Sequence, residues 1–136
     1  MHKCKITPEN IKELKPNEVF VFGSNLRGVH GAGAAKLAKD KFGAKLLVGH
    51  GMTGNCYAFP TKDQNIQTIA LDIIPSFIYY LQSEVQRNPK KHFLVTKVGC
   101  GLAGYNIEEI APLFKEFIHY ENCSLPQEFI DVIKRL

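Results

Sequence analysis

Short runs of apolar, strand-forming residues recur along the chain and are separated by glycine-rich or helix-like segments. Residues 19–22 are apolar at every position, which is typical of a central strand covered on both faces of a parallel sheet. Residues 56–59 and 92–98 have the same character, and residues 45–48 form a weaker run. We therefore expect four strands in these places, with the first of them at the centre of a sheet.

Helical spacing appears between these runs. Residues 34–39 combine small apolar residues with lysines, and residues 73–87 follow Asp72, which we expect to cap the helix. Pro75 falls in the first turn of that helix, where a missing N–H costs nothing. One face of the same helix carries its apolar residues: Ile74, Phe77, Ile78, Leu81 and Val85.

The last third of the chain predicts two more helices. Asn106 is a suitable N-cap for a helix over residues 107–119, with Glu108 and Glu109 in its first turn. The tail predicts a short extended piece and then a small helix over residues 127–134. Strands that alternate with helices indicate a three-layer α/β fold.

Length and composition agree with one domain. The chain has 136 residues, of which 45% are apolar, and no linker, repeat or low-complexity run divides it. The net charge of +4 is mild. The only local basic run, residues 87–91, lies where a helix should end, and cations are favourable there. A nucleic-acid surface would carry more charge and interleaved aromatic residues.

The cysteines Cys4, Cys56, Cys100 and Cys123 are far apart, with no C-x-x-C pair and no histidine at metal-ligand spacing. We therefore expect no metal and no bound cofactor. Met1 and the residues after it show no apolar signal region, and no apolar run of about 18 residues could span a bilayer. These features predict a reduced cytoplasmic protein that does not enter membranes; its oligomeric state stays open.

Two glycine-rich loops carry the candidate chemistry. Residues 24–33 and 99–105 each lie between a predicted strand and a predicted helix, at the sheet edge where ligands of open α/β folds bind. Loops without side chains let backbone N–H groups approach phosphate oxygens, and the following helix adds its positive end. The first loop lacks the P-loop spacing. Its Gly31-Ala32-Gly33 also fails to complete a dinucleotide fingerprint.

Residues 22–35, with the sequence FGSNLRGVHGAGAA, resemble the first ligand loop of the macro-domain superfamily. Residues 99–105, GCGLAGY, are similar to its second loop, and Pro60-Thr61-Lys62 resembles a strand end of the branch that includes ADP-ribose glycohydrolases and DNA-acting antitoxins. The resemblance spans residues 19–117. It implies a three-layer α/β/α macro-domain-like fold over residues 1–136, with a mixed, mostly parallel sheet.

The same resemblance implies that ADP-ribose, or a related nucleotide, binds between the two loops, with Asn25 and the first loop at the ribose and diphosphate. Tyr105 is expected to stack on or border the distal ribose, or else to be a core aromatic residue. The implied ligand-binding residues are Ser24, Asn25, Gly28, Gly31, Ala32, Gly33, Gly99, Cys100, Gly101, Leu102, Ala103, Gly104 and Tyr105.

Catalysis is a further implication, because Lys62 matches a lysine that attacks the modified ribose carbon. A lysine acts as a nucleophile only when it is neutral. The acidic partner is missing from its expected place, where the chain has Ala103 and Gly104. Asp63 is the first candidate substitute and Glu108 a weaker one. Lys62 is otherwise a solvated residue after a strand.

Cys100 suggests a different chemistry, because a thiol at a helix N-terminus can become reactive, although a buried packing role suits it better. Three functions therefore stay open: a hydrolase acting on an ADP-ribosylated macromolecule, a non-catalytic ADP-ribose module, and a domain of the same fold with another ligand.

Overall fold

The computed structural model describes residues 3–136, so the expectation for the chain start at Met1 and His2 lies outside the described residues. Within residues 3–136, the fold has six strands, four α-helices and one 3₁₀ helix. In chain order they are β1 (Lys5–Ile6), β2 (Glu18–Asn25), α1 (Gly33–Lys41), β3 (Gly51–Thr53), β4 (Cys56–Lys62), α2 (Ile74–Arg87), β5 (His92–Val95), α3 (Ile107–Ile110), the 3₁₀ helix η1 (Ala111–His119), β6 (Cys123–Leu125) and α4 (Gln127–Lys134).

The strands form one sheet in the order β1-β6-β5-β2-β4-β3. Every neighbouring pair is parallel except β3 with β4, which is antiparallel. Strand β2 lies between β5 and β4, and its residues 19–22 are at most 3% exposed. The predicted central strand and the mixed, mostly parallel sheet are therefore confirmed.

Helices cover both faces of this sheet. Val19 and Val21 point towards α2, α3, η1 and α4, which bury the larger core cluster around Phe114 and Phe117. Phe20 and Phe22 point the other way, to α1 and its buried Ala38. Alternate residues of β2 thus serve two cores, as the two-residue period of a strand requires. The protein has a three-layer α/β/α fold, as predicted.

The strand predicted over residues 45–48 is wrong. This segment is a turn, in which Leu47 has a φ of 69° and a side chain that is 72% exposed. The strand that pairs with the outer side of β4 is β3, which the sequence analysis missed. Gly54 and Asn55 connect β3 and β4 as a two-residue hairpin loop, and the φ of 57° at Gly54 suits such a turn.

Several predicted boundaries also change. Asp72 does not cap α2, whose N-cap is Ile73 and has no side-chain hydrogen bond, although Pro75 lies in the first turn as expected. Strand β5 ends at Val95 rather than at residue 98, because the chain turns at Thr96, whose carbonyl oxygen accepts a hydrogen bond from Val98 N at 2.7 Å.

Asn106 caps α3 as predicted, through a capping box in which Glu109 N donates to Asn106 Oδ1 at 3.0 Å and Asn106 N donates to Glu109 Oε1 at 3.0 Å. The predicted single helix over residues 107–119 is wrong after its first turn, since residues Ala111–His119 are 3₁₀-helical. Pro112 lacks the N–H that an α-helix would use there. Within residues 3–136, no helix has the length and apolar character needed to cross a membrane.

Replacing Asn106 by alanine removes the side-chain half of the capping box, in which Glu109 N donates to Asn106 Oδ1, and keeps the backbone N–H that donates to Glu109 Oε1. We expect Asn106→Ala to lower the free energy of unfolding by about 1 kcal/mol, measured by chemical denaturation, because an N-cap side chain satisfies an otherwise unpaired backbone N–H. Asn10→Ala, at an exposed position outside any helix, is the control and should leave stability unchanged. Equal stability of the two variants would contradict the capping role.

Candidate functional site

A cavity of about 520 Å³ opens at the carboxyl ends of β2, β4 and β5. The connection after β2 leads to α1 on one face of the sheet, and the connection after β5 leads to α3 on the other. Because neighbouring connections leave in opposite directions, a crevice remains between them. Its lining residues are Gly23, Ser24, Asn25, Arg27, Val29, Gly31, Ala32, Gly33, Ala34, Ala35, Thr61, Lys62, Ile66, Thr96, Lys97, Val98, Gly99, Gly101, Leu102 and Ala103.

The cavity brings together ten of the residues that the sequence analysis singled out: Ser24, Asn25, Gly31, Ala32, Gly33, Lys62, Gly99, Gly101, Leu102 and Ala103. Five others do not line it: Gly28, Cys100, Gly104, Tyr105 and Asp63. Among the lining residues that were missed, Arg27 and Val29 lie inside the first glycine loop and could have been included with it. Lys97 was assigned to a strand, and Ile66 had no signal in the sequence.

Asn25 shapes the first loop with its side chain. Its Nδ2 donates to the carbonyl oxygen of Val29 at 2.8 Å, and Val29 N donates to its Oδ1 at 3.1 Å. The carboxamide is thus engaged by one residue of its own loop. The role of Asn25 in this structure is to fold the loop around the cavity.

Residues 44–49 support this loop from outside. Leu47 N donates to the carbonyl oxygen of Gly28 at 2.8 Å, and Ser24 Oγ donates to that of Gly49. A Cβ at Gly28 would lie 2.4 Å from the Leu47 backbone, so Gly28 is a glycine because of packing. The buried His30 also joins the two segments, since its Nε2 donates to the Lys45 carbonyl oxygen at 3.0 Å.

The N-terminus of α1 faces the cavity without a side-chain cap. Its N-cap residue is Ala32, and its first turn contains no acidic residue. Within the described part of the chain, the N–H groups of Gly33, Ala34 and Ala35 donate to no protein acceptor. Free N–H groups and the positive end of the helix dipole favour an anion at this place.

Gly31 and Gly101 lie on opposite loops and have no steric reason to be glycine. A Cβ built on either of them meets no atom within 4 Å, and neither has a φ in the left-handed region. Both residues line the cavity. The space that their missing side chains leave is therefore available to a ligand.

The second loop offers further free donors. In residues 3–136 the N–H groups of Gly99, Gly101, Leu102 and Ala103 have no protein acceptor. The loop is closed at its ends, where Tyr105 N donates to the Gly99 carbonyl oxygen at 2.9 Å. Free backbone donors thus approach the cavity from two sides.

All charged side chains that line the cavity are cationic: Arg27, Lys62 and Lys97. Lys62 lies in the cavity wall at a register shift between β2 and β4. Ser24 pairs with Pro60, whereas the next residue, Asn25, pairs with Lys62. Such a shift re-aims the side chains at a strand end. Lys97 is paired outside the cavity with Glu128, at 2.5 Å, and with Glu9, at 3.6 Å. The hydrogen bond that Lys97 donates to Glu128 raises the pKa of Lys97, which therefore stays charged.

Asp63 has a structural role. Its Oδ1 accepts hydrogen bonds from Asn65 N at 2.8 Å and Gln67 N at 3.0 Å, which closes a turn. That turn holds Ile66 at a φ of 60° and directs it to the cavity lining. Neither Asp63 nor Glu108 lines the cavity.

Cys100 is an unactivated thiol. Burial raises its pKa to about 11, although the positive charge of Lys97 acts in the opposite direction. This direction favours the buried packing role of Cys100 over the reactive thiol that the sequence analysis also considered. Among residues 3–136, no group of three or more His, Cys, Asp or Glu side chains is arranged to hold a metal ion.

No protein-family model, curated protein or solved structure matches this chain. Its function therefore has to be inferred from the cavity itself.

The raised pKa of Cys100 predicts slow alkylation. Near neutral pH we expect iodoacetamide to modify Cys100 of the folded protein far more slowly than it modifies glutathione, because only the thiolate reacts. The rate should rise as the pH approaches 11, provided that the protein stays folded. Peptide mass spectrometry measures it, with the urea-unfolded chain as the control. Fast modification of the folded protein near neutral pH would contradict the assignment.

Proposed function

We propose that this protein is a macro-domain-like module that binds ADP-ribose, or a related nucleoside diphosphate, in the cavity between its two glycine-rich loops. One observation carries the proposal: free backbone N–H groups of both loops and of the α1 N-terminus meet at a cavity whose charged side chains are all cationic. Phosphate groups are the biological anions that such backbone sites typically hold.

Size supports the same ligand class. A cavity of about 520 Å³ lies within the range of small-molecule sites, roughly 300–1,000 Å³. Val29 and Leu102 on its lining are 41% and 73% exposed, so the cavity opens to solvent. An ADP-ribose group attached to a macromolecule is therefore a second form of the ligand that the proposal includes.

Hydrolysis of an ADP-ribosyl linkage is the second candidate, and the position of Lys62 in the cavity wall favours it. The charge pattern favours binding, because among residues 3–136 no carboxylate lines the cavity to transfer a proton. Measuring the release of ADP-ribose from an ADP-ribosylated protein distinguishes hydrolysis from binding alone. Turnover by the wild-type protein that disappears in Lys62→Ala, while saturable binding persists, would support hydrolysis.

Calorimetric titration with ADP-ribose, with ADP and NAD as comparison ligands, tests binding. We expect saturable binding of ADP-ribose, and weaker binding through the series Gly101→Ala, Gly101→Val and Gly101→Leu, because each larger side chain fills more of the ligand space. For leucine the loss should be at least about tenfold, equivalent to 1.4 kcal/mol.

The thermal stability of these variants should stay close to that of the wild type, since a Cβ at Gly101 meets no neighbour. Ala70→Leu adds a similar side chain at an exposed position outside the cavity and should bind normally. Folded Gly101→Leu protein with wild-type affinity would show that the second loop is not the site. Failure of the wild-type protein to bind any of the three compounds would overturn the proposed function.

Lys62→Ala should raise the Kd for ADP-ribose by about tenfold, because a charge-assisted hydrogen bond to phosphate typically contributes about 1.5–3 kcal/mol. Lys62→Arg keeps the charge and should retain most of the affinity. Lys90→Ala removes an exposed lysine that does not line the cavity and is the matched control. An unchanged Kd in Lys62→Ala would remove Lys62 from the ligand contacts.

A further inference from the structure

The second loop is attached to the segment that follows β4 by two side-chain hydrogen bonds. The hydroxyl of Tyr105 donates to the carbonyl oxygen of Ile69 at 2.5 Å, and Thr68 Oγ1 donates to that of Ala103 at 2.8 Å. The first bond reaches the end of the loop and the second reaches its middle. Neither Thr68 nor Tyr105 lines the cavity.

Few bonds inside the loop hold its middle in place. Gly104 N donates to the Gly101 carbonyl oxygen at 3.0 Å, which forms one turn. Gly101 and Leu102 are exposed, and their N–H groups have no protein acceptor within residues 3–136. The direction in which these free donors point therefore depends on contacts from outside the loop.

The supporting segment is itself firmly fixed. Thr68 forms a bridge with Lys62, and Ile69 N donates to the Thr61 carbonyl oxygen at 2.9 Å. The side chain of Ile69 is only 7% exposed and belongs to the larger core cluster. The position of Thr68 and Ile69 is thus set by β4, the strand that carries Lys62.

We propose that Thr68 and Tyr105 are positioning residues that fix the second loop relative to β4, so that its free N–H groups and Lys62 meet the same phosphate ligand. This inference rests on the proposed function. It assigns Tyr105 a role without ligand contact, whereas the resemblance implied either a ribose contact or a core aromatic residue. Affinity for the diphosphate then depends on two hydrogen bonds that lie behind the cavity wall.

The Tyr105 hydroxyl suits this role because it stays protonated. Desolvation, and then the negative charges of Glu109 and Asp72, raise its pKa, so the hydroxyl remains a donor around neutral pH. The ring has a separate packing role, since Tyr105 is partly buried and packs against the larger core cluster. Tyr105→Phe keeps the ring and removes only the hydrogen bond.

Calorimetry with ADP-ribose and hydrogen exchange of the ligand-free protein test the proposal. Tyr105→Phe should raise the Kd about fivefold, as expected for a lost hydrogen bond. It should also speed amide exchange at residues 104 and 105, whose N–H groups donate to the Gly101 and Gly99 carbonyl oxygens, without changing exchange in the central strands. Tyr79→Phe is the matched control, because that hydroxyl is on an exposed residue and has no hydrogen bond within residues 3–136.

Thr68→Val provides an independent second variant and should show the same pattern. Wild-type affinity together with wild-type exchange in both variants would overturn the proposal. A raised Kd with equally faster exchange across the whole sheet would also overturn it, since that result indicates general destabilisation. If the wild-type protein does not bind ADP-ribose, the proposed function fails, and exchange at residues 104 and 105 alone decides whether Thr68 and Tyr105 position the loop.

Discussion

Parallel pairing of β2 with both β4 and β5 determines where everything else in the site can lie. Parallel neighbours bring their carboxyl ends to one edge of the sheet, and here the chain leaves β2 and β5 towards opposite faces. Neither the connection after β2 nor the connection after β5 fills the crevice that lies between them. The alternating burial of Val19 and Val21 against Phe20 and Phe22 fixes the pairing, because a slip of one residue would exchange the two cores.

The two loops at this edge leave several backbone donors free, and segments from elsewhere in the chain help to hold the shape of the loops. Residues 44–49 support the first loop through Ser24, Gly28 and His30, and residues 68–69 support the second. This division has a physical reason. A loop that used its own N–H groups for internal hydrogen bonds would have none left for an anion. Support from carbonyl groups and side chains of other segments keeps those donors available.

Local signals in the sequence predicted the parts of the fold that depend on neighbouring residues. The all-apolar run at residues 19–22 gave the central strand, and Asn106 with Glu109 gave a helix start. The hairpin at Gly54 and Asn55 had a readable turn signal that was missed. The residues 45–48 have the composition of a strand but are used to support the first loop. The local sequence does not distinguish a strand from a supporting segment at residues 45–48. It also does not show whether Tyr105 faces a ligand or the Ile69 carbonyl group. Both outcomes depend on contacts between distant segments of the chain.

The ion pairing of the cationic side chains that line the cavity bears on whether the site binds a ligand or also catalyses a reaction. Lys97 is neutralised by Glu128 and Glu9, whereas Arg27 and Lys62 form no ion pair within the described residues. Two unbalanced cations and several free N–H groups match a diphosphate diester, which carries one negative charge on each phosphate. A hydrolase would need in addition a group that moves a proton at the scissile bond. The nearest carboxylate in sequence to Lys62, that of Asp63, is occupied by the backbone of its own turn. Within residues 3–136, the cavity lining therefore presents free N–H groups and cationic side chains and includes no carboxylate, and the proposal of an anionic ligand rests on this pattern.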